Sequence, residues 1–317
     1  MAKNPSKDET LIDIDDPYVE PRTEVEPPRG VMGRIRVYLA RHGIDLGTST
    51  YLSFGVGLVA VALTVGPILY LILGGFRSQQ QLALDPTGLP DPWIFDSYAS
   101  ILGNPTFWQQ ALNSTIVAVG TTVGVVIFGT MAAYPLARYQ FRGREFVYIL
   151  FTTGLMFPLT VAILPLYLMI HDMGLVGSLW GLILPQVAFA LPLTVIIMRP
   201  FIKALPKELE EAAFIDGITR IGFFWRILLP LAVPGMVTVG VLAFIGSWNA
   251  YLLPLLLLTG DPSGMTLPLG VTTFQSQYSS NTTGIMAYTA LSMVPALVFF
   301  VFMERRIVDG LTGAVKG

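Results

Sequence analysis

Six apolar runs, each long enough to cross a bilayer, restrict the fold of this chain more than any other feature. They lie at 51–73, 111–137, 146–170, 180–198, 231–258 and 285–303. A helix needs roughly 20 apolar residues to cross the hydrocarbon core. An uncovered sheet edge cannot exist in hydrocarbon, because its backbone groups find no water there, so the runs are read as helices. Only 13% of the residues are charged, against about 25% in soluble domains. The expected fold class is an all-α membrane protein with six transmembrane helices.

The placement of charge sets the orientation. With the N-terminus cytoplasmic, eighteen of the nineteen Lys and Arg residues fall on inside segments, and only Arg77 falls outside. Cytoplasmic loops carry such an excess, so both termini and the segment 199–230 are expected in the cytoplasm. Residues 1–48 form one region, polar and proline-rich over 1–30 and expected to be disordered. Within it, Arg34, Arg36 and Arg41 belong either to a short interfacial helix over 31–42 or to a basic flank of the first span. Residues 49–317 form the transmembrane domain. Two outside loops, 74–110 and 259–284, are polar and either contact an external partner or simply connect spans. The chain has no cysteine, hence no disulfide and no thiolate metal site.

The inside segment 199–230 is helix-prone and charged. Pro206 suits a first helical turn. Glu208, Glu210 and Glu211 favour the positive end of a helix dipole. Ala212 and Ala213 are strong helix formers with almost no side chain, and Gly217 permits the positive φ that ends a helix. A helix of about ten residues, roughly 15 Å long, is expected. Its small residues suit a groove on a partner, and Glu211 suits a cation there. An apolar stripe of Ile221, Phe224, Trp225, Ile227 and Leu228 predicts a second helix, with Pro230 and Pro234 bending the chain beyond it.

The spacing E-A-A, three residues, G, nine residues, I-x-L-P runs from Glu211 to Pro230. With it, the chain resembles the permease subunits of binding-protein-dependent ABC importers, most closely the carbohydrate branch of MalG type. Ala132-Ala133-Tyr134-Pro135 with Arg138 and Phe141-Arg142-Gly143, Gly174-Leu175-Val176-Gly177-Ser178, Trp248-Asn249 and the ending Gly310-Leu311-Thr312-Gly313 also carry the resemblance. That ending lacks one residue of the family pattern after Thr312. The resemblance covers roughly residues 50 to 317. It implies a type I ABC importer permease fold and a heterodimer with a second permease subunit. It implies two ATPase subunits that bind ATP and Mg, and an extracytoplasmic sugar-binding protein. It places the chain in a prokaryotic cytoplasmic (inner) membrane. Glu208, Glu211, Ala212, Ala213, Asp216 and Gly217 would then couple to an ATPase subunit. The tail near Ala314 would reach the ATPase dimer, and the loop 259–284 would contact the binding protein.

The spans contain no Asp, Glu, Lys, Arg or His. Proton- and ion-coupled carriers usually keep such groups at the midplane. The chain also has no phosphate-binding G-x-x-x-x-G-K-[ST] loop. Neither enzymatic activity, nor a cofactor of its own, nor a nucleic-acid partner is expected. In-span polar groups are neutral, which suits a polyhydroxylated substrate. Asn249, Trp248, Tyr251 and Gln186 are the expected substrate path, against the alternative that such residues bond helix to helix. The alternative functions are an ABC permease for a non-sugar solute and a secondary carrier. Gly120 and Gly124 form a GxxxG pair that allows close helix approach and points to a subunit interface. His171-Asp172 reads as a polar turn.

Overall fold

The structure is a computed structural model. It describes residues 48–258, 260–275 and 281–315, with side chains over 53–258, 260–275 and 281–303. The expected tail before residue 48 and the side chains of the ending 310–317 lie outside the described residues. By its internal contacts the chain divides into Met1–Val65 and Gly66–Gly317.

The described part of the first unit is the beginning of helix α1, Thr48–Gly74. Phe54, Leu58 and Leu63 are all exposed there. A helix that is apolar on all sides needs an apolar solvent.

The second unit is helical. Short helices α2 (Gln79–Leu84) and α3 (Asp96–Leu102) precede α4 (Pro105–Arg138), and α5 (Arg144–Gly154) and α6 (Leu159–Asp172) follow it. Next come α7 (Leu179–Ala204), α8 (Glu208–Ile215), α9 (Arg220–Phe223) and a π turn, Phe224–Leu228. Then α10 (Leu229–Trp248), α11 (Leu252–Leu257), α12 (Leu267–Gly270) and α13 (Thr282–Val315) complete the order. Among the described residues, five helical runs are long and apolar enough to span a membrane, or six with a bent pair counted as one span.

That bent pair corrects the expected third span. Residues 146–170 are not one helix: α5 and α6 meet at 99° across a short break. Pro158 has no N–H and its ring would collide with the carbonyl of Gly154 in a continuous helix. Phe157, preceding a proline, is also driven out of the helical region. Pro158 itself is extended at φ −73°, ψ 130°.

The fifth span is displaced as well. It runs through α9, the π turn and α10 from Arg220 to Trp248, and it breaks before Leu252. The wider π turn lies just ahead of Pro230, where an α-helical carbonyl would lack its donor. The outer break has the same cause, since Pro254 in a continued helix would clash with the carbonyl of Ala250.

α4, α7 and α10 form the centre of the unit. A Cβ added at Gly120, Gly124 or Gly129 would stand 2.9, 2.7 or 2.2 Å from Ile183, Val187 or Thr194. The three glycines therefore let α7 lie directly against α4, and van der Waals contact gains what lipid cannot drive. The GxxxG pair thus serves packing within this chain.

Candidate functional site

The hairpin at the basic end of the bundle is built around α8. Lys207 precedes the helix, and Glu208, Glu210 and Glu211 occupy its first turn. The helix is eight residues long, slightly shorter than expected. It ends in a Schellman turn: the N–H of Ile218 donates to the carbonyl of Ala213 (2.9 Å) and that of Gly217 to Phe214 (3.1 Å). Gly217 has φ +78°, the conformation this turn requires.

The helix has two unlike faces. Glu210 and Ala213 are buried. Ala213, expected among the docking residues, instead packs in a core cluster with Phe223, Phe224 and Ala133. Glu208, Glu211, Ala212, Ile215, Asp216 and Gly217 are exposed. Ile221 and Trp225 extend the exposed apolar surface beyond the turn.

Glu210 joins α8 to the end of α4. The Tyr134 and Tyr139 hydroxyls lie 3.2 and 3.1 Å from its Oε1 and within bonding reach of each other, so their two protons fill two of these three contacts at a time. The Nε of Arg138 lies 3.9 Å from Oε2, while its Nη2 donates to the Leu205 carbonyl at 2.8 Å. Arg220 covers the Tyr139 ring at 4.9 Å. Burial first, and the Glu210 charge besides, hold the Tyr139 hydroxyl above its ordinary pKa, so it remains a donor at neutral pH. Sequence reasoning placed Glu210 only as a dipole partner. Its signal was that alone of the three glutamates it shares a helical face with Ala213, three residues on.

The four expected path residues are not brought together. Trp248 is 4% exposed, stacks on Phe244 and donates its Nε1 to the Ser292 carbonyl at 3.3 Å, so it belongs to a packed core. Asn249 and Tyr251 are exposed at the break between α10 and α11. Gln186 lines a cavity of about 240 Å³ between α4, α7 and α10, together with Thr121, Phe189, Gly246 and Ser247.

Much of the segment 259–284 folds back onto α4 instead of forming a plain loop. Gln110 donates to the Pro262 carbonyl at 2.8 Å, and Asn113 donates to those of Ser263 (2.8 Å) and Met265 (3.0 Å). The Leu267 N–H donates to Ser114 Oγ at 2.7 Å. The side-chain amides of α4 thus satisfy backbone groups that would otherwise be stranded as Leu267 and Leu269 bury. Among the described residues, no group of three His, Cys, Asp or Glu side chains could hold a metal ion.

Over residues 125–311 the sequence matches the family described as "Binding-protein-dependent transport system inner membrane component". It is 35% identical over 252 residues, 79% of this chain and 83% of the relative, to the diacetylchitobiose uptake system permease protein NgcG of Streptomyces coelicolor. It is 37% identical over 265 residues, 80% of this chain and 95% of the relative, to the trehalose transport system permease protein SugB of Mycobacterium tuberculosis. The fold matches a chain of a bacterial ABC transporter involved in the import of the acidic polysaccharide alginate. The TM-score is 0.68 and the identity 22%, over 88% of this chain and 99% of that one.

Proposed function

The chain belongs to the family of binding-protein-dependent transport system inner membrane components, and we propose that it is one permease subunit of an ATP-driven importer of sugars, oligosaccharides in particular. It forms half of a translocation pathway with a second permease subunit. Two ATPase subunits, which hold the ATP and Mg, dock on the basic side, and an extracytoplasmic sugar-binding protein docks on the other. Both termini are cytoplasmic. The sugar uptake named for the diacetylchitobiose and trehalose relatives supports the substrate class.

The two-faced geometry of α8 carries the coupling assignment. Its outer face, with Glu208, Glu211 and Ala212, is open to a partner, while Glu210 and Ala213 hold the inner face to the bundle. A push on the outer face is passed on by two stiff links. One is the Glu210 clasp to Tyr134 and Arg138 at the end of α4. The other is the Schellman turn at Gly217, which leads through α9 into the span ending at Trp248. Displacement of α8 by closing ATPases therefore moves α4 and α10 together, which opens the bundle to alternate sides.

The test is Glu211→Lys, purified with its partner subunits and assayed in liposomes. The variant is expected to insert and fold normally, to lose the ATPase subunits during purification, and to lose sugar uptake. Retained ATPase subunits with normal uptake would exclude coupling through this face. Uptake by the chain alone, without ATP, would favour a secondary carrier.

A further inference from the structure

The segment that follows α1 is built inside out. Arg77, the one cation expected outside, is 4% exposed. Its guanidinium donates to the carbonyls of Gln81 (2.9 Å), Pro86 (3.2 Å) and Asp85, around the C-terminal end of α2. A cation is favoured at that end of a helix, and among the described residues Arg77 forms no ion pair. The Gln81 amide donates to the carbonyls of Asp91 and Pro92. One Asp85 carboxylate oxygen accepts the N–H groups of Gly88 at 3.0 Å and Thr87 at 3.3 Å. Much of the backbone is thus satisfied from within the segment. The apolar side chains turn the other way: Leu84 is 80% exposed, Leu89 73%, Phe95 60% and Trp93 52%. A loop bathed in water has no reason to bury its arginine while presenting its leucines and tryptophan.

The depth of the segment follows from α1. That span ends at Gly74. The Tyr98 hydroxyl donates to the Ile72 carbonyl in the last turn of α1 at 2.8 Å, and the Ile94 N–H donates to the Phe76 carbonyl at 2.8 Å. The Phe76 ring lies among those of Trp93, Phe95 and Tyr98, with centroids 4.4 to 5.4 Å away. These contacts hold Trp93 and Phe95 beside the end of a span, at the headgroup level where aromatic side chains concentrate. Tyr70 and Ile72, on the last turns of α1, are exposed too, so apolar surface runs on from the span.

We infer that the surface formed by Leu84, Leu89, Trp93 and Phe95 is a membrane anchor seated in the outer leaflet, with phospholipid as its partner. The inference requires only that the chain spans a membrane, and it stands apart from the importer reading. Continuity with α1 selects lipid over a protein, because the surface begins where the span ends and at the same depth. Residues 78–98 contain no Lys, Arg or His, Arg77 is spent on carbonyls, and Asp91 and Asp96 are exposed. Anchoring therefore draws on apolar burial and not on anionic headgroups, so it holds in zwitterionic lipid and in salt. The outside loop 74–110 is then neither a plain connection nor, over this stretch, a surface for an external protein.

The test uses the full chain with its co-purifying subunits in phosphatidylcholine liposomes, at low and high salt. A benzophenone amino acid replaces Leu84, Leu89 or Trp93 in turn and is irradiated, and the chain is weighed by mass spectrometry. The result expected is a chain heavier by a phospholipid at all three positions, unchanged by salt. An adduct with another protein would make the surface a protein-docking site, and no adduct would mean that it faces water. Either overturns the anchor. Trp93→Phe supplies a second measurement, since it keeps a ring against Phe76 and removes the indole. Lipid brominated near the headgroup end of its chains should quench tryptophan fluorescence less in this variant than in the wild type. Lipid brominated at the chain ends should quench the two alike. Equal quenching of both proteins by both lipids would place Trp93 away from the interface and overturn the anchor as well. None of these outcomes reads sugar uptake, so the importer reading stands or falls separately.

Discussion

The Tyr134 hydroxyl donates to the carboxylate of Glu210 at 3.2 Å, across seventy-six residues of sequence. Tyr134 stands one turn before the end of the long helix α4, and Glu210 sits on the inner face of α8. This contact is one of those that tie the exposed hairpin to the bundle, and Arg138, 3% exposed at its side chain, balances the carboxylate's charge.

Glu210→Ala should therefore do more harm than an exposed glutamate would. It leaves the buried Arg138 without its counter-charge, a change that costs roughly 3–5 kcal/mol where pairs are well buried. The pair is long at 3.9 Å, which favours the lower end of that range. Glu210→Gln keeps an acceptor for both tyrosines and should lose less. Thermal unfolding of the purified complex should rank wild type above Gln above Ala, with Glu208→Ala close to wild type.

Gly217 is needed for its backbone. Its φ is +78° and an added Cβ would touch nothing within 4 Å. Gly217→Val should cost on the order of 1–2 kcal/mol from the left-handed conformation alone, whereas Gly217→Asn should cost less. Comparing uptake in the two variants separates the turn's geometry from any need for a small surface.

The contact of α4 with α7 should fail by crowding. At Gly124 a Cβ would lie 2.7 Å from Val187 Cγ2. Gly124→Ala should destabilise the chain by about 1–3 kcal/mol, the usual range for overpacking. Val187→Ala should restore part of the loss, as a double-mutant cycle on unfolding would show. If partner subunits dissociate while the chain stays folded, the glycine pair faces outward after all.

Asn113 holds the returning segment by two backbone carbonyls, those of Ser263 and Met265. Asn113→Leu should cost about 1–3 kcal/mol by leaving them unsatisfied. Hydrogen exchange over 260–270 should quicken in that variant while the amides of α10 stay protected.

Acid should loosen the same segment. The Ser263 hydroxyl, first, and its N–H hold the Asp261 carboxyl below its ordinary value of 3.8. A lowered folded pKa means the stabilisation is full above the unfolded value and is lost as pH falls through the folded one. Protection of the Ser263 amide, taken relative to intrinsic exchange at each pH, should fall below about pH 3.8 in the wild type. In Asp261→Asn that protection should stay constant over the same window.

The spans were legible because lipid leaves a backbone few choices, and the turn at Gly217 because only one residue type enters that conformation cheaply. The breaks at Pro158 and before Pro254 had visible causes, yet prolines at 67, 135 and 234 sit inside continuous helices. A proline alone therefore does not say which way its helix yields. Trp248 was read as a path residue from its chemistry. It stacks on Phe244 one turn earlier in its own helix, but its burial depends on α13, whose Phe299 stacks on Phe244 and whose Ala287 and Tyr288 join the same core.

By itself, then, the sequence determined a helical membrane chain, its hydrophobic runs, and a charged hairpin closed at Gly217. These follow from local rules: the thickness of hydrocarbon, the helical period and the backbone freedom of glycine. Only the tertiary structure decided that Glu210 faces inward while Glu211 faces out, and that Gly120 and Gly124 meet α7. It alone gathered Thr121, Gln186 and Ser247 around one cavity. Those relationships join residues far apart in the chain, and they are set by how helices rotate and seat against each other, which no single stretch of sequence encodes.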